Sequence, residues 1–126
     1  MGDRICVRVT DGHRMSPTVY CHWAGLGAIM AMHRAVEQSR REVSNILCNL
    51  IVTLMAGRCR NSSYYIYNDG EAEEMADWDN WTWTLDISDM TWTTTMPCLV
   101  GRRITIDQAE EIAITSGYGA VAEVTA

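Results

Sequence analysis

The chain has 126 residues, 48% of them hydrophobic and 21% charged, with a formal net charge of −6. That length and mix fit one globular domain spanning 1–126 and exclude a disordered or fibrous chain. The acidic balance argues against a nucleic-acid or anionic-membrane surface over most of the protein, and the lack of lysine (all ten basic residues are arginine) excludes Schiff-base catalysis.

Five cysteines occur, at Cys6, Cys21, Cys48, Cys59 and Cys98, with no CxxC pair. The polar start Met1-Gly2-Asp3-Arg4 does not read as a secretory leader, and Cys6 stands where a myristoylation signal wants Ser or Thr. No apolar run nears the length of about 18 residues that a membrane span needs. Together these lead to the expectation of reduced thiols in a cytoplasmic protein.

In chain order, Ile5, Val7 and Val9 alternate with Cys6, Arg8 and Thr10, the period of a half-buried strand. Asp11-Gly12 and Ser16-Pro17 bound a loop, and residues 18–23 read as a second strand, antiparallel to the first. Gly25 and Gly27 interrupt it. Leu26, Ile29, Met30, Met32 and Val36 then lie along one face of a helix whose polar end carries Glu37, Gln38, Arg40 and Arg41.

Ser44 is the expected N-cap of a second helix. Its apolar stripe of Ile46, Leu47, Leu50, Ile51, Leu54 and Met55, widened by Cys48 and Val52, predicts deep burial, and Gly57 is placed to end it. Residues 64–67 are aromatic and β-branched, which predicts a third strand, and Asn68-Asp69-Gly70 ends it. Along 81–87, Trp81, Trp83, Leu85 and Ile87 point one way and Thr82, Thr84 and Asp86 the other. Met90, Trp92, Thr94 and Met96 resume the pattern. A loop at Ser88-Asp89, of two residues or four, sets Leu85 opposite Trp92. Thr105 and Gln108 match a capping box that opens a helix from Ile106 to about Thr115, stopped by Gly117, and 120–122 could add a last strand.

The order β-β-α-α-β-β-β-α predicts an α+β fold. Its sheet is expected to be mainly antiparallel, of four or five strands, with helices packed on one face. The Trp and Leu face of the late hairpin is expected to meet the helix at 44–57.

Chemistry concentrates at Tyr20-Cys21-His22-Trp23-Ala24-Gly25, at a strand-to-helix junction with free backbone N–H groups. Cys21 as nucleophile with a histidine base is one reading. Neighbours on a strand face opposite ways, so His22 cannot easily serve, and His13 or His33 would have to. The preferred reading makes His22 a hydrogen-bonded structural residue and Trp23 a core anchor. No cysteine and histidine spacing matches a zinc site, and no cofactor motif occurs. Asp69, Glu71, Glu73, Asp77 and Asp79, with Glu74, supply oxygens that hard cations favour, but without the order of a calcium loop; a solvated loop is the preferred reading. Four of the five tryptophans fall between 78 and 92. Trp81, Trp83 and Trp92 are expected in the core; with Trp23 they are otherwise candidates for a ligand or partner surface.

The string from Tyr20 to Gly25 resembles the Tyr-Ser-His-Trp-Gly-Gly string of small uncharacterised prokaryotic and phage proteins, whose order of elements is similar over roughly the first 95 residues. Cys21 replaces the Ser, Ala24 replaces a Gly, and the Arg-Trp-Asp segment that follows in that group is missing. The resemblance implies no activity. The functional expectation is a non-enzymatic interaction or accessory protein, meeting a protein partner or a second copy of itself. The alternative is a small enzyme working at Cys21 and His22.

Overall fold

The alternating runs become strands, and one unforeseen pairing joins them. The computed structural model describes residues 3–56, 64–68 and 75–115. In chain order the elements are β1 (Ile5–Thr10), β2 (Thr18–Cys21), α1 (Gly27–Gln38), α2 (Val43–Met55), β3 (Tyr64–Tyr67), β4 (Thr82–Asp86), β5 (Thr91–Thr94), β6 (Ile104–Thr105) and α3 (Ile106–Ala113). The class is α+β, as the pattern implied. The sheet is mixed and six-stranded, in the order β3-β2-β1-β4-β5-β6, rather than four- or five-stranded. Neighbours are antiparallel except at the centre, where β1 and β4 run parallel. The added strand, β6, is only two residues long, too short to show a period. Ile104 pairs with Trp92 and Thr105 with Thr91 before the chain turns into α3.

Strand alternation sorts the side chains into two layers. Ile5, Val7, Val9, Val19, Cys21, Trp83, Leu85, Trp92 and Ile104 face the helices and form one core with Leu26, Ile29, Met32, Ile46, Leu50 and Leu54. On the other face a smaller cluster of Cys6, Tyr20 and Ala76 is flanked by Tyr67 and Met75. The expected hairpin register holds, with Leu85 opposite Trp92. The loop is the four-residue version, closed by the Asp86 carboxylate on the Ser88 N–H at 2.9 Å and by Asp89 on the Thr91 N–H at 3.2 Å.

Several details depart from expectation. Trp81 has a φ of 59° and precedes the strand, so it leaves the alternation that Trp83 and Leu85 keep. The N-cap of α2 is Glu42, and Ser44 instead donates its hydroxyl to the Glu42 carboxylate at 2.8 Å. Helix α1 ends at Gln38, which leaves Arg40 and Arg41 outside its last turn. The late hairpin is held by α1 and α3 through Trp92, His33 and Glu110. Helix α2 lies towards the opposite edge, where the Tyr64 hydroxyl donates to the Leu54 carbonyl at 3.1 Å. Gly57, Gly70, Gly117 and the strand expected at 120–122 lie outside the described residues.

The capping box is present as read. The Gln108 N–H donates to the Thr105 hydroxyl at 3.2 Å, and the Thr105 N–H to the Gln108 side chain at 3.0 Å. Thr105→Ala is therefore expected to cost about 1 kcal/mol. Thr93→Ala, on the exposed sheet face, should stay within about 0.5 kcal/mol of wild type. Urea unfolding of the two variants checks the difference.

Candidate functional site

Pairing geometry brings three chain segments to one end of the sheet. Strand β2 leaves where β1 enters, with Ile5 opposite Cys21. Strand β4 enters beside β1 because the two are parallel, with Cys6 opposite Thr82. Residues 22–23, 3–4 and 75–81 therefore converge. Hydrogen bonds lock them together. The Asp3 N–H donates to the His22 carbonyl at 2.7 Å, and the Asn80 N–H to the Arg4 carbonyl at 3.1 Å. The buried Asn80 side chain donates to Asp3 Oδ1 at 2.7 Å and to the Arg4 carbonyl at 2.9 Å. Gly25 adopts a φ of 58°, a left-handed turn that glycine takes at low cost. Its N–H donates to the Asp3 carbonyl at 2.9 Å as the chain leaves for α1.

The charged partners here are Arg4 and Asp79. Arg4 Nε donates to Asp79 Oδ2 at 2.9 Å, and the Arg4 backbone N–H reaches the same oxygen at 3.0 Å. These bonds, led by the guanidinium, hold the Asp79 carboxyl below its ordinary range.

Aromatic rings rim this end. Trp78 is 87% exposed, Trp23 50% and Tyr65 49%. Trp78 and Trp81 have ring centroids 6.4 Å apart, and His22 meets Trp23 edge-on at 4.8 Å. Tyr20 bridges towards the edge of the sheet, with its hydroxyl 2.8 Å from His22 Nδ1 and its ring 5.9 Å from Tyr65. Trp78 and Trp81 take φ values of 70° and 59°. Such backbone costs a bulky residue about 1–3 kcal/mol. The chain accepts that strain and still leaves most of the Trp78 indole in water, with Trp81 as its ring neighbour.

The other residues singled out in the sequence scatter. Trp83 and Trp92 are fully buried, so neither belongs to a surface. Their rings meet edge-on at 6.1 Å, a contact worth about 0.5–1.5 kcal/mol beyond area burial. Trp23 is exposed, not a core anchor. Cys21 is sealed beneath the helices, whereas His22 joins Tyr20 on the other side of the strand. The Cys6 thiol is also buried, and burial pushes its pKa up to about 11. Asp79 is engaged by Arg4; Asp69, Glu71, Glu73 and Glu74 lie outside the described residues. Among the described residues no three acidic, histidine or cysteine side chains gather as a metal site.

One buried polar cluster went unread in the sequence, where His33 entered only as an alternative base for Cys21. Trp92 Nε1 donates to His33 Nε2 at 2.8 Å, and His33 Nδ1 lies 2.7 Å from Glu110 Oε2. An indole N–H can only donate, so Nε2 accepts and the imidazole proton sits on Nδ1, facing Glu110. Both ring nitrogens are thereby used in tying α1 to β5 and α3. Burial holds the His33 pKa below the ordinary imidazole value, although Glu110 pulls the other way. The available signal was position: His33 follows Met32 and precedes Ala35 on a helix face that is otherwise apolar.

Two expectations follow. The unfolded-state histidine value is about 6.5, and the folded value lies below it, so the unfolded chain takes up the proton first as pH falls. The stability this site supplies is whole above about pH 6.5 and is lost as pH falls through the depressed folded value. The urea midpoint should drop from about pH 7.5 to about pH 5 more steeply in wild type than in His33→Gln, a difference that isolates this residue from His13 and His22. An equal or gentler drop in wild type would refute the arrangement. Independently, iodoacetamide should alkylate Cys6 and Cys21 in native protein far more slowly than exposed Cys98. Peptide mapping reads that order.

No family model, curated protein or solved structure matches this chain.

Proposed function

We propose that this chain is a non-enzymatic interaction protein whose aromatic rim docks a protein partner. The observation that carries the reading is the Trp78 indole, held outward at a φ of 70° and 87% exposed. Tryptophan and tyrosine dominate the energetics of protein interfaces because they bury large area at small entropic cost. Trp23, Trp81 and Tyr65 widen the patch, and the hydrogen bonds among Asp3, Arg4, Asp79 and Asn80 stiffen its base. A pre-ordered surface loses less on binding.

The partner's chemistry follows from charge. Asp77 adjoins Trp78 in the chain, Asp79 on its other side is held by Arg4, and the chain as a whole carries −6. Indole faces also attract guanidinium groups. The matching surface carries arginine or lysine beside an apolar anchor. A nucleic acid would meet repulsion. The enzyme alternative at Cys21 and His22 has its thiol sealed beneath α1 and α2 and its imidazole on the opposite face, so the two do not form a nucleophile and base. A cytoplasmic setting belongs to the same proposal, because Cys6, Cys21, Cys48 and Cys98 stand as thiols.

A photo-reactive phenylalanine analogue in place of Trp78, expressed in cells that make the protein, should yield a discrete cross-linked adduct with one other protein. The same group in place of exposed Val100 should not. With that partner purified, Trp78→Ala should weaken the complex by about 30-fold, from the roughly 2 kcal/mol of an interface hot spot. The melting temperature should not fall. Identical adducts from both positions, or unchanged affinity in Trp78→Ala, would count against the rim.

A further inference from the structure

The rings of the rim share one chemical trait: they offer donors and have no protein acceptor for them. Trp83 and Trp92, by contrast, each set the indole N–H on a protein acceptor. Among the described residues, the indole N–H groups of Trp23, Trp78 and Trp81 and the hydroxyls of Tyr65 and Tyr67 have no protein partner. No unpaired polar side-chain atom of the described residues is sealed from solvent, so these groups reach water. An indole N–H can only donate. Beside Trp78, the half-buried Asp77 carboxylate takes part in none of the ion pairs formed by the described residues. The rings are also regularly spaced and tilted. Tyr65 and Tyr67 stand 6.2 Å apart at 35°, and Trp78 and Trp81 6.4 Å apart at 53°.

We infer that the partner segment docked by this rim is a proline-rich chain in the polyproline II conformation, with an arginine laid over Trp78 beside Asp77. The inference rests on the reading of the rim as a partner surface and names what fills it. Hydrogen-bond supply selects the backbone. An α-helix satisfies its own carbonyls, and an added strand brings as many N–H groups as carbonyls. A polyproline II chain has no internal hydrogen bonds, and each proline contributes a carbonyl without an N–H. It is a ligand of surplus acceptors, the complement of a rim of surplus donors. Spacing agrees. The chain rises about 3.1 Å per residue, so alternate residues fall about 6.2 Å apart, the interval between the rings. Tilted neighbours make a ridged surface that suits the compact prolyl ring, and aromatic-lined grooves commonly hold such segments in this way. Charge selects the basic residue, because a guanidinium both stacks on an indole face and pairs with a carboxylate. Rival ligands fit less well. A sugar hydroxyl donates as readily as it accepts. A single-stranded nucleic acid brings phosphates to a chain of net charge −6.

Titration of nitrogen-labelled protein with a synthetic peptide of Arg-Pro-Pro repeats tests this directly by NMR. The indole N–H resonances of Trp23, Trp78 and Trp81 should shift together, and those of Trp83 and Trp92 should stay in place. Asp77→Asn should weaken the peptide about fivefold and leave a Gln-Pro-Pro peptide unaffected, as expected for an exposed charge pair with an indole alongside. A peptide of Arg-Ala-Ala repeats carries the same charge without the stiff backbone and should bind about tenfold more weakly. Equal binding of the proline and alanine peptides overturns the inference, because charge alone would then suffice. So does a cello-oligosaccharide or an oligothymidylate that moves these resonances where the proline peptide does not. A silent peptide, with a partner cross-linked at Trp78 that holds no proline-rich segment, removes this inference and leaves the rim as a partner surface. Loss of both the adduct and the peptide binding removes the two together.

Discussion

The parallel pairing of β1 with β4 is the constraint on which the molecule rests. It joins two antiparallel halves, β3-β2-β1 and β4-β5-β6, into one sheet. Val7 sits opposite Trp83 and Val9 opposite Leu85, so buried apolar side chains of the two halves fall in the same rows. On the other face Arg8 Nε donates to the Thr84 hydroxyl at 2.9 Å across the same pair, 76 residues apart. Parallel neighbours cannot be joined by a tight turn. The intervening chain must cross over, and it does so through β2, both long helices and β3. The layout of the surface follows from this one pairing. Because β1 and β4 start at the same end and β2 finishes there, that end collects Arg4, His22, Trp23, Trp78, Trp81 and Asn80. Had β4 run the other way, the segment carrying Trp78 would lie at the far end of the sheet.

The same geometry divides the indoles by what their N–H groups can find. Trp83 donates to the Asn80 carbonyl at 2.8 Å, and Trp92 to His33. Each buried ring therefore satisfies its one polar atom, which an interior site demands. The choice at Trp92 governs His33 in turn. An imidazole whose Nε2 accepts from an indole and whose Nδ1 serves a carboxylate has no lone pair left for catalysis. A residue that could have been a general base is instead a three-way tie among α1, β5 and α3. Glu110, partly exposed, lets that buried tie end in solvent rather than as an isolated interior charge.

What the sequence disclosed and what it concealed separate along one physical line. Features fixed by near neighbours were readable: the alternation of β1, the Leu85–Trp92 register, the opposite facing of Cys21 and His22, and the Thr105–Gln108 cap. Features fixed by distant neighbours were not. Both α1 and α2 are apolar on one face, and nothing in either periodicity says which will meet Trp92. Nothing in β1 names β4 as its mate, so the parallel pair within a mainly antiparallel sheet was not located, and the two-residue β6 was too short to be counted. Trp81 continues the alternation of Trp83 and Leu85 on paper, yet its backbone turns left-handed because the Trp81 N–H closes onto the Ala76 carbonyl at 3.0 Å before the strand begins. A tertiary turn overrides the pattern there. The acidic run at 69–79 and the aromatic residues around it were visible as composition. That the rim would gather Trp23, just past β2, and Tyr65 on β3 was not, because only pairing brings them near.

The end of the sheet that gathers the exposed rings is held differently from the core beneath it. Trp83 and Trp92 are fixed by apolar burial, each with its one polar atom satisfied. The segments that carry Trp23, Trp78 and Trp81 are fixed instead by polar contacts, from Asn80 to Asp3 and to the Arg4 carbonyl and from Arg4 to Asp79. Arg4 and Asp79 are partly exposed, so salt screens their attraction, whereas it leaves the buried indoles untouched. The order of the rings at this end therefore depends on a few hydrogen bonds between distant segments rather than on the bulk of the core.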